Sequence, residues 1–231
     1  MKQYNYVKPT IRDSFSFGWK IIFDKAFLPL MLAVIIAGLL NGPFGATWKA
    51  EDLNWFNLIW LFPAVMIGMG YALLFKPVID YGERFLFLKA IREEQIELSM
   101  LFDGFKEKYL KIVVANLIVF ALVLFGFILF IIPGFIVLIR LAFVPFLVMD
   151  KNLDPIKAIE RSWIMTRGYG WKILGMGILS FFILIAGILV FVAGVIFSFM
   201  WIHAAFATLY QTIQLHNDMD NPIPILTVHE G

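Results

Sequence analysis

Three ionisable side chains interrupt or border long apolar segments, and their chemistry stands out from the rest of the chain. Arg140 is the only charged residue between Ile112 and Met149, and Asp150 follows that segment directly. Between positions 173 and 214, His203 is the only histidine, and there is no Asp, Glu, Lys or Arg. An arginine at the centre of a membrane costs roughly 2.5–3.5 kcal/mol to insert, so it is expected to be paired or functional. We therefore define Arg140, Asp150 and His203 as a candidate intramembrane polar site.

Two kinds of chemistry are open to this site. Arg140 either binds an anionic ligand or is held structurally, by helix carbonyls near Pro133 or by a carboxylate at a cytoplasmic helix end. The carboxylates considered are Asp80, Glu83, Asp103 and Asp150. About ten residues, or roughly 15 Å of helix, separate Arg140 from Asp150, which predicts a deep position for the guanidinium. His203 is either an interhelical hydrogen-bonding residue or a proton carrier.

Motifs for enzymatic chemistry are missing from the sequence. There is no cysteine, and the histidines at 203, 216 and 229 lack the paired spacing of a zinc protease. Neither a phosphate-binding loop ending in Lys-Ser or Lys-Thr nor a Gly-x-Ser-x-Gly elbow occurs. The sequence therefore predicts no catalytic residue, no metal site and no cofactor.

The composition places these residues in a lipid environment. Hydrophobic residues make up 61% of the chain and charged residues 16%, whereas a soluble domain has about 25% charged residues. The net charge of +2 does not favour nucleic acid as a partner. We expect one all-α membrane domain over residues 1–231, a polytopic bundle of transmembrane helices.

Six membrane spans arranged as three hairpins account for the apolar segments. A helix needs about 20 residues to cross the hydrocarbon, and the two longest apolar runs are each nearly twice that length. Pro133 and Gly134 near the middle of the first run predict a hairpin turn, with a single kinked helix as the alternative. In the second run the turn is expected between Gly187 and Gly194. The predicted spans are residues 27–47, 54–75, 112–132, 134–149, 173–191 and 194–213.

Basic residues predict the orientation of the bundle. Five Lys and Arg residues lie in the first 25 residues, seven in residues 76–111 and five in residues 151–172. With six spans these segments share one side, which the positive-inside rule makes cytoplasmic, together with both termini. The loop 41–54 is then external. A five-span arrangement would move the C-terminus outside.

Two polar segments have the pattern of interfacial amphipathic helices. Residues 10–25 place apolar side chains at spacings of three and four, and a second helix is expected to begin at Asp154-Pro155. Ile156, Ile159 and Trp163 share one face of that second helix. Such helices lie flat among the headgroups or pack on the ends of the bundle.

From about residue 82 onward, a set of short motifs is spread along the chain. Its residues are Leu101, Phe102, Phe105, Ile131, Ile132, Pro133, Gly134, Arg140, Asp150, Ala158, Ile159, Ser162, Thr166, Gly168, Trp171, Leu209 and Tyr210. In these residues the chain resembles the membrane domain attached to some glycerophosphoryl diester phosphodiesterases, and related integral-membrane families of unknown function. Those proteins often have Arg-Gly-Glu where this chain has Arg92-Glu93-Glu94. The resemblance implies a six-helix membrane domain and carries no activity, because the phosphodiesterase activity belongs to a separate soluble domain.

The function predicted from these features is that of a non-enzymatic integral membrane protein in the bacterial cytoplasmic (inner) membrane. It would interact with membrane lipids or act as a scaffold or partner subunit for another membrane protein. The alternative is a small transporter or channel subunit with an anion site at Arg140.

Overall fold

The computed structural model describes residues 7–41, 55–106 and 108–220, and over these ranges the chain is all-helical, without a β-strand. Two short π-helical segments, Ile22–Ala26 and Tyr71–Phe75, join consecutive helices, and a 3-10 helix covers Leu98–Phe105. The α-helices are α1 (Ile11–Ile21), α2 (Phe27–Asn41), α3 (Trp55–Gly70), α4 (Lys76–Ile91), α5 (Tyr109–Leu129), α6 (Ile131–Arg140), α7 (Val144–Lys151), α8 (Pro155–Met165), α9 (Gly170–Leu189) and α10 (Phe191–Asp220).

Several of these helices are long and apolar enough to cross a membrane, so the chain is a membrane protein. Within the described ranges, four such helical segments run over Tyr109–Leu129, Ile131–Lys151, Gly170–Leu189 and Gly194–Asn217. They overlap the last four predicted spans, with α5 beginning three residues earlier than predicted. A fifth span is present if the bent pair Ile11–Asp24 and Phe27–Leu40, which meets at 104°, is counted as one.

The first two predicted spans cannot be compared in full, because residues 42–54 lie outside the described residues, and with them most of the predicted external loop. Helix α2 covers the first part of span 27–47. Helix α3 and the π-helical segment after it cover span 54–75, but the chain stays helical through α4 to Ile91. The second helix therefore continues well beyond the predicted boundary at residue 75.

Between α5 and α6 the chain breaks at Phe130, whose φ of −162° and ψ of 155° are extended. Pro133 and Gly134, predicted to form this turn, lie just after it in the first turn of α6, where a proline has no helical hydrogen bond to lose. A Cβ on Gly126 would lie 3.0 Å from the Gly134 Cα atom, so glycine lets the two backbones approach. At the other end Lys108 Nζ donates to the Met149 carbonyl over 2.7 Å. The two segments therefore run antiparallel.

Helices α9 and α10 meet in a similar way. The break falls at Val190, inside the predicted window between Gly187 and Gly194. A Cβ on either of these glycines would overlap the backbone of the other, and Ser198 Oγ donates to the Ile183 carbonyl over 3.0 Å. Small residues thus hold this pair together in a setting where lipid supplies no hydrophobic drive for helix association.

The buried core lies towards the end of the bundle where the basic residues are. Helix α4 runs through it, and its buried side chains include Val78, Ile79, Leu86, Phe87, Leu88 and Ile91. In contrast, large apolar residues of α5 and α9, such as Phe125, Ile128, Phe181 and Phe182, are exposed. This outward distribution is what a bilayer around those helices requires, since lipid solvates apolar side chains.

A prediction follows from the contact between α4 and the 3-10 helix. A Cβ on Gly82 would overlap the Leu101 carbonyl group, lying 2.9 Å from its carbon atom. We expect Gly82→Ala to lower the Tm of the detergent-solubilised protein by several degrees, because overpacking of this kind costs about 1–3 kcal/mol.

The matched control is Gly177→Ala in α9, where the new Cβ would meet nothing within 4 Å. That variant should keep or slightly raise the Tm, because alanine favours the helix by about 1 kcal/mol over glycine. Equal effects of the two variants would show that the α4 contact is not tight.

Candidate functional site

Asp150 is held by an arginine that the sequence analysis did not consider as its partner. Arg92, at the C-terminal cap of α4, donates from Nη1 to Asp150 Oδ1 and from Nη2 to Asp150 Oδ2, the latter over 2.8 Å. The arginine side chain is 15% exposed and the carboxylate side chain 7%. A two-pronged contact of this kind is among the strongest hydrogen-bonded ion pairs in proteins.

Two residues of α10 complete this polar cluster. Gln211 accepts a hydrogen bond from Arg92 Nε over 2.7 Å, and Tyr210 donates its hydroxyl to Asp150 Oδ2 over 3.1 Å. Burial lowers the pKa of Arg92, but its hydrogen bond and charge interaction with Asp150 outweigh this effect, so the net shift of the pKa is upward. Arg92 therefore stays charged, and the cluster connects α4, α7 and α10. We call these four residues the Arg92 cluster.

The backbone beside this cluster is unusual. Glu93 follows Arg92 with a φ of +56°, in the left-handed region that favours glycine. The Glu93 N–H donates to the Ala90 carbonyl over 3.0 Å, so the chain turns tightly where α4 ends, directly after Arg92.

Arg140 lies at the end of α6 and is not paired as predicted. Its guanidinium carbon lies 5.7 Å from the ring centre of Trp163 in α8, a cation–π contact. Within the described ranges it has no carboxylate partner, and Nη1 has no hydrogen bond. The predicted partners are engaged elsewhere, Asp150 with Arg92 and Asp103 with Lys106 at 2.9 Å.

Helix α8 explains why Arg140 occupies this position. Its N-cap residue is Asp154, whose carboxylate lies 3.3 Å from Lys111 Nζ. From there α8 folds back alongside the preceding span. At its other end Ser162 Oγ and Thr166 Oγ1 donate to the Arg140 carbonyl, over 2.7 and 3.4 Å. A polar helix therefore accompanies the span as far as Arg140. The depth of Arg140 in the hydrocarbon, which was counted along one helix, stays a prediction.

The two faces of α8 carry different kinds of side chain. Its buried residues are small or flexible, namely Ala158, Ser162 and Met165, whereas Ile156 and Trp163 are 64% and 39% exposed. The same outer face carries the exposed charges Lys157, Glu160 and Arg167. Asp154 begins the helix without capping it through its side chain.

His203 is placed apart from the other two predicted residues. Its Nδ1 atom is 3.8 Å from Glu83 Oε1, too far for a hydrogen bond, and it has no partner in the part of the chain that the structure describes. The ring lies 5.3 Å from that of Phe87, and it lines a cavity between α4, α5, α7 and α10. The predicted role as an interhelical hydrogen-bonding residue is not seen in this arrangement.

The candidate intramembrane polar site is therefore divided into three separate places. Asp150 belongs to the Arg92 cluster, Arg140 lies between α6 and α8, and His203 lines the cavity, which neither of the other two residues reaches. This arrangement gives no support to a transport pathway through Arg140.

No protein-family model, curated protein or solved structure matches this chain. The resemblance to phosphodiesterase-associated membrane domains therefore stays a prediction.

The Arg92 cluster generates a prediction about stability. Asp150→Asn leaves a buried guanidinium without its counter-charge, and breaking a buried pair in this way costs about 3–5 kcal/mol. We expect the Tm to fall strongly for Asp150→Asn and for Arg92→Met alone. The double variant Arg92→Met/Asp150→Asn should be more stable than either single variant, because it leaves no isolated charge.

Asp103→Asn serves as the control, since its partner Lys106 is exposed and such pairs contribute at most about 1 kcal/mol. Strictly additive losses at Arg92 and Asp150 in the thermal unfolding experiment would contradict a coupled pair.

Proposed function

We propose that this protein is a lipid-interacting membrane protein that binds anionic headgroups through the outer face of α8 and the turn that follows it. The observation that carries the proposal is the combination of large apolar and basic side chains on one exposed helix face. Ile156, Trp163 and Ile164 are exposed there beside Lys157 and Arg167. Water alone would not favour so much exposed apolar surface, whereas a headgroup region accommodates both kinds of side chain.

The segment after α8 extends this surface. Trp171 is 85% exposed at the start of α9, and Lys172 Nζ lies 4.8 Å from the ring centre of Tyr169. Trp and Tyr favour the interface between hydrocarbon and water, and each Lys or Arg near an anionic surface contributes about 1 kcal/mol. Arg140, stacked on Trp163, adds a further cation at the same level.

The orientation proposed for the protein follows from the same basic residues. With α8 among the headgroups on the cytoplasmic side of a bacterial inner membrane, its cations would face a leaflet rich in anionic lipid. Both termini would then lie on that side, as six spans require. A reporter active only outside the membrane, fused after Asn217, should remain inactive, and activity there would contradict this orientation.

Lipid-dependent stability tests the proposed function. We expect phosphatidylglycerol to raise the Tm of the full-length protein in neutral detergent more than phosphatidylcholine does, because the two lipids differ in headgroup charge. Lys157→Gln/Arg167→Gln should reduce that difference, as should 0.5 M salt, which screens exposed charges.

Glu160→Gln provides a control on the same exposed face, since it removes a negative charge and should increase the preference for phosphatidylglycerol. If the double variant, the Glu160 variant and the unmodified protein all respond equally to phosphatidylglycerol, α8 is not a headgroup-binding surface.

A further inference from the structure

The cavity beside His203 is lined by two uncharged polar side chains that lack hydrogen-bond partners. Its volume is about 540 Å³, within the range of roughly 300–1,000 Å³ that small-molecule sites occupy. Asn116 of α5 and His203 of α10 both line it, and neither makes a hydrogen bond within the described part of the chain. Both residues lie in membrane-spanning helices, where lipid cannot replace the hydrogen bonds of water.

His203 directs one of its two ring nitrogens at this cavity. Its Nδ1 atom is buried beside Glu83, whereas the side chain as a whole is 20% exposed, which leaves Nε2 for an occupant. In a neutral imidazole one nitrogen donates and the other accepts, and the amide of Asn116 does both. A group that matches the two side chains must itself both donate and accept hydrogen bonds.

The charges in the lining favour an uncharged occupant. Asp80 and Arg84 lie one turn apart on α4 and have opposite signs, so they offset each other. Asp80 is also already engaged in an interaction, and the pair offers no vacant place for an ion. A charged headgroup would lose its hydration here without gaining a counter-charge.

Asn116 and His203 lie at the same depth in the bundle. Asn116 follows Lys108, which bonds to the Met149 carbonyl at the basic end, by eight residues. His203 precedes Gln211 of the Arg92 cluster, at the same end, also by eight residues. At 1.5 Å per residue both side chains are roughly 12 Å from the basic end, so a single polar group can serve both.

The rest of the lining is mainly apolar and continues deeper into the membrane. Val119, Phe120 and Val123 follow Asn116 along α5, away from the basic end. Phe120, and Leu138 of α6, are also 53% and 47% exposed. The cavity therefore opens towards lipid. An occupant can place its polar group at Asn116 and its hydrocarbon among these side chains and the acyl chains outside.

We propose that this cavity binds an uncharged glycerolipid with a free hydroxyl group, of the diacylglycerol class. The hydroxyl group donates to the amide oxygen of Asn116 and accepts from Nε2–H of His203. One acyl chain lies against Phe120 and Leu138, and the other stays in the bilayer. This site is separate from the α8 surface and takes a lipid without charge.

The choice of class follows from the hydrogen bonds that each lipid can make. The ester carbonyl beside the hydroxyl group accepts from the amide nitrogen of Asn116, which a simple alcohol would leave unpaired. A fully esterified glycerol has acceptors only and gives the Asn116 oxygen no donor. Phosphatidic acid has the same glycerol and chains but replaces the hydroxyl group by a charged phosphate. Diacylglycerol satisfies both side chains without adding a charge.

Thermal unfolding of the full-length protein in phosphatidylcholine nanodiscs tests this proposal, because phosphatidylcholine has no free hydroxyl group. Dioleoylglycerol at a hundred times its dissociation constant should raise the Tm by about 5–10 °C. Its acetyl ester, in which the hydroxyl group is blocked, and phosphatidic acid with the same chains should raise it clearly less. Equal shifts from dioleoylglycerol and its acetyl ester would overturn the proposal.

Asn116→Leu removes the amide while keeping a side chain of similar size. The variant should fold with an unchanged or higher Tm in phosphatidylcholine alone, because it takes an unpaired amide out of a membrane span. It should lose the preference for dioleoylglycerol over the acetyl ester. Ser180→Ala is the matched control and should keep that preference, since Ser180 Oγ in α9 also lacks a partner among the described residues but lies outside the cavity.

Ala142→Leu tests the cavity without changing a polar group. The larger side chain fills part of the cavity, so this variant should unfold cooperatively and show no dioleoylglycerol shift. A preference that survives in Asn116→Leu, or an unchanged shift in Ala142→Leu, would contradict the proposed site.

The two lipid proposals fail independently in these experiments. Lys157→Gln/Arg167→Gln should keep the dioleoylglycerol shift while losing the response to phosphatidylglycerol. Asn116→Leu should show the opposite pattern.

Discussion

The ion pair between Arg92 and Asp150 holds together helices that are distant in the sequence. Arg92 ends α4, Asp150 lies near the end of α7, and the bond from Arg92 to Gln211 adds α10. Since α4 runs through the core, fixing its end also fixes the walls of the cavity beside it.

The surroundings of the bundle determine which face of each helix is buried. Around α8 the small residues Ala158 and Ser162 face inward and Trp163 faces outward, the reverse of a helix on a water-soluble domain. In a bilayer the gain comes from close backbone packing and interhelical hydrogen bonds, such as that from Ser162 to the Arg140 carbonyl. The same rule explains why Gly126 and Gly134, or Gly187 and Gly194, lie where neighbouring helices meet.

The sequence was sufficient for features that depend on composition over long stretches. The ends of α5 and α9 were predicted to within three residues, because a run of about twenty apolar residues is typical of a membrane-spanning helix. The break at Phe130 was missed by a few residues, since Pro133 fits the first turn of a helix as well as it fits a loop. Features that depend on a single helix could thus be predicted from the sequence, including the start of α8 at Pro155.

Features that depend on contacts between residues far apart in the sequence could not be predicted. Nothing local distinguishes Arg92 from the other basic residues of segment 76–111, so its pairing with Asp150 requires the folded chain. The hydrogen bonds from Ser162 and Thr166 to the Arg140 carbonyl likewise depend on the path of α8 back along the span. The cavity needs residues from α4, α5 and α10 at once, and of these only His203 stood out beforehand as a polar residue within an apolar segment.

The spacing of the Arg92 cluster along the chain also fixes when it can form during synthesis. Arg92 and Asp150 are 58 residues apart, and Arg92 and Gln211 are 119 residues apart. At 5–20 residues per second the ribosome needs about 3–12 s to reach Asp150 and about 6–24 s to reach Gln211. Until then the guanidinium has only water and headgroups as partners, which its place at the basic end of α4 allows. The cluster therefore cannot be complete before α10 has been synthesised as far as Gln211.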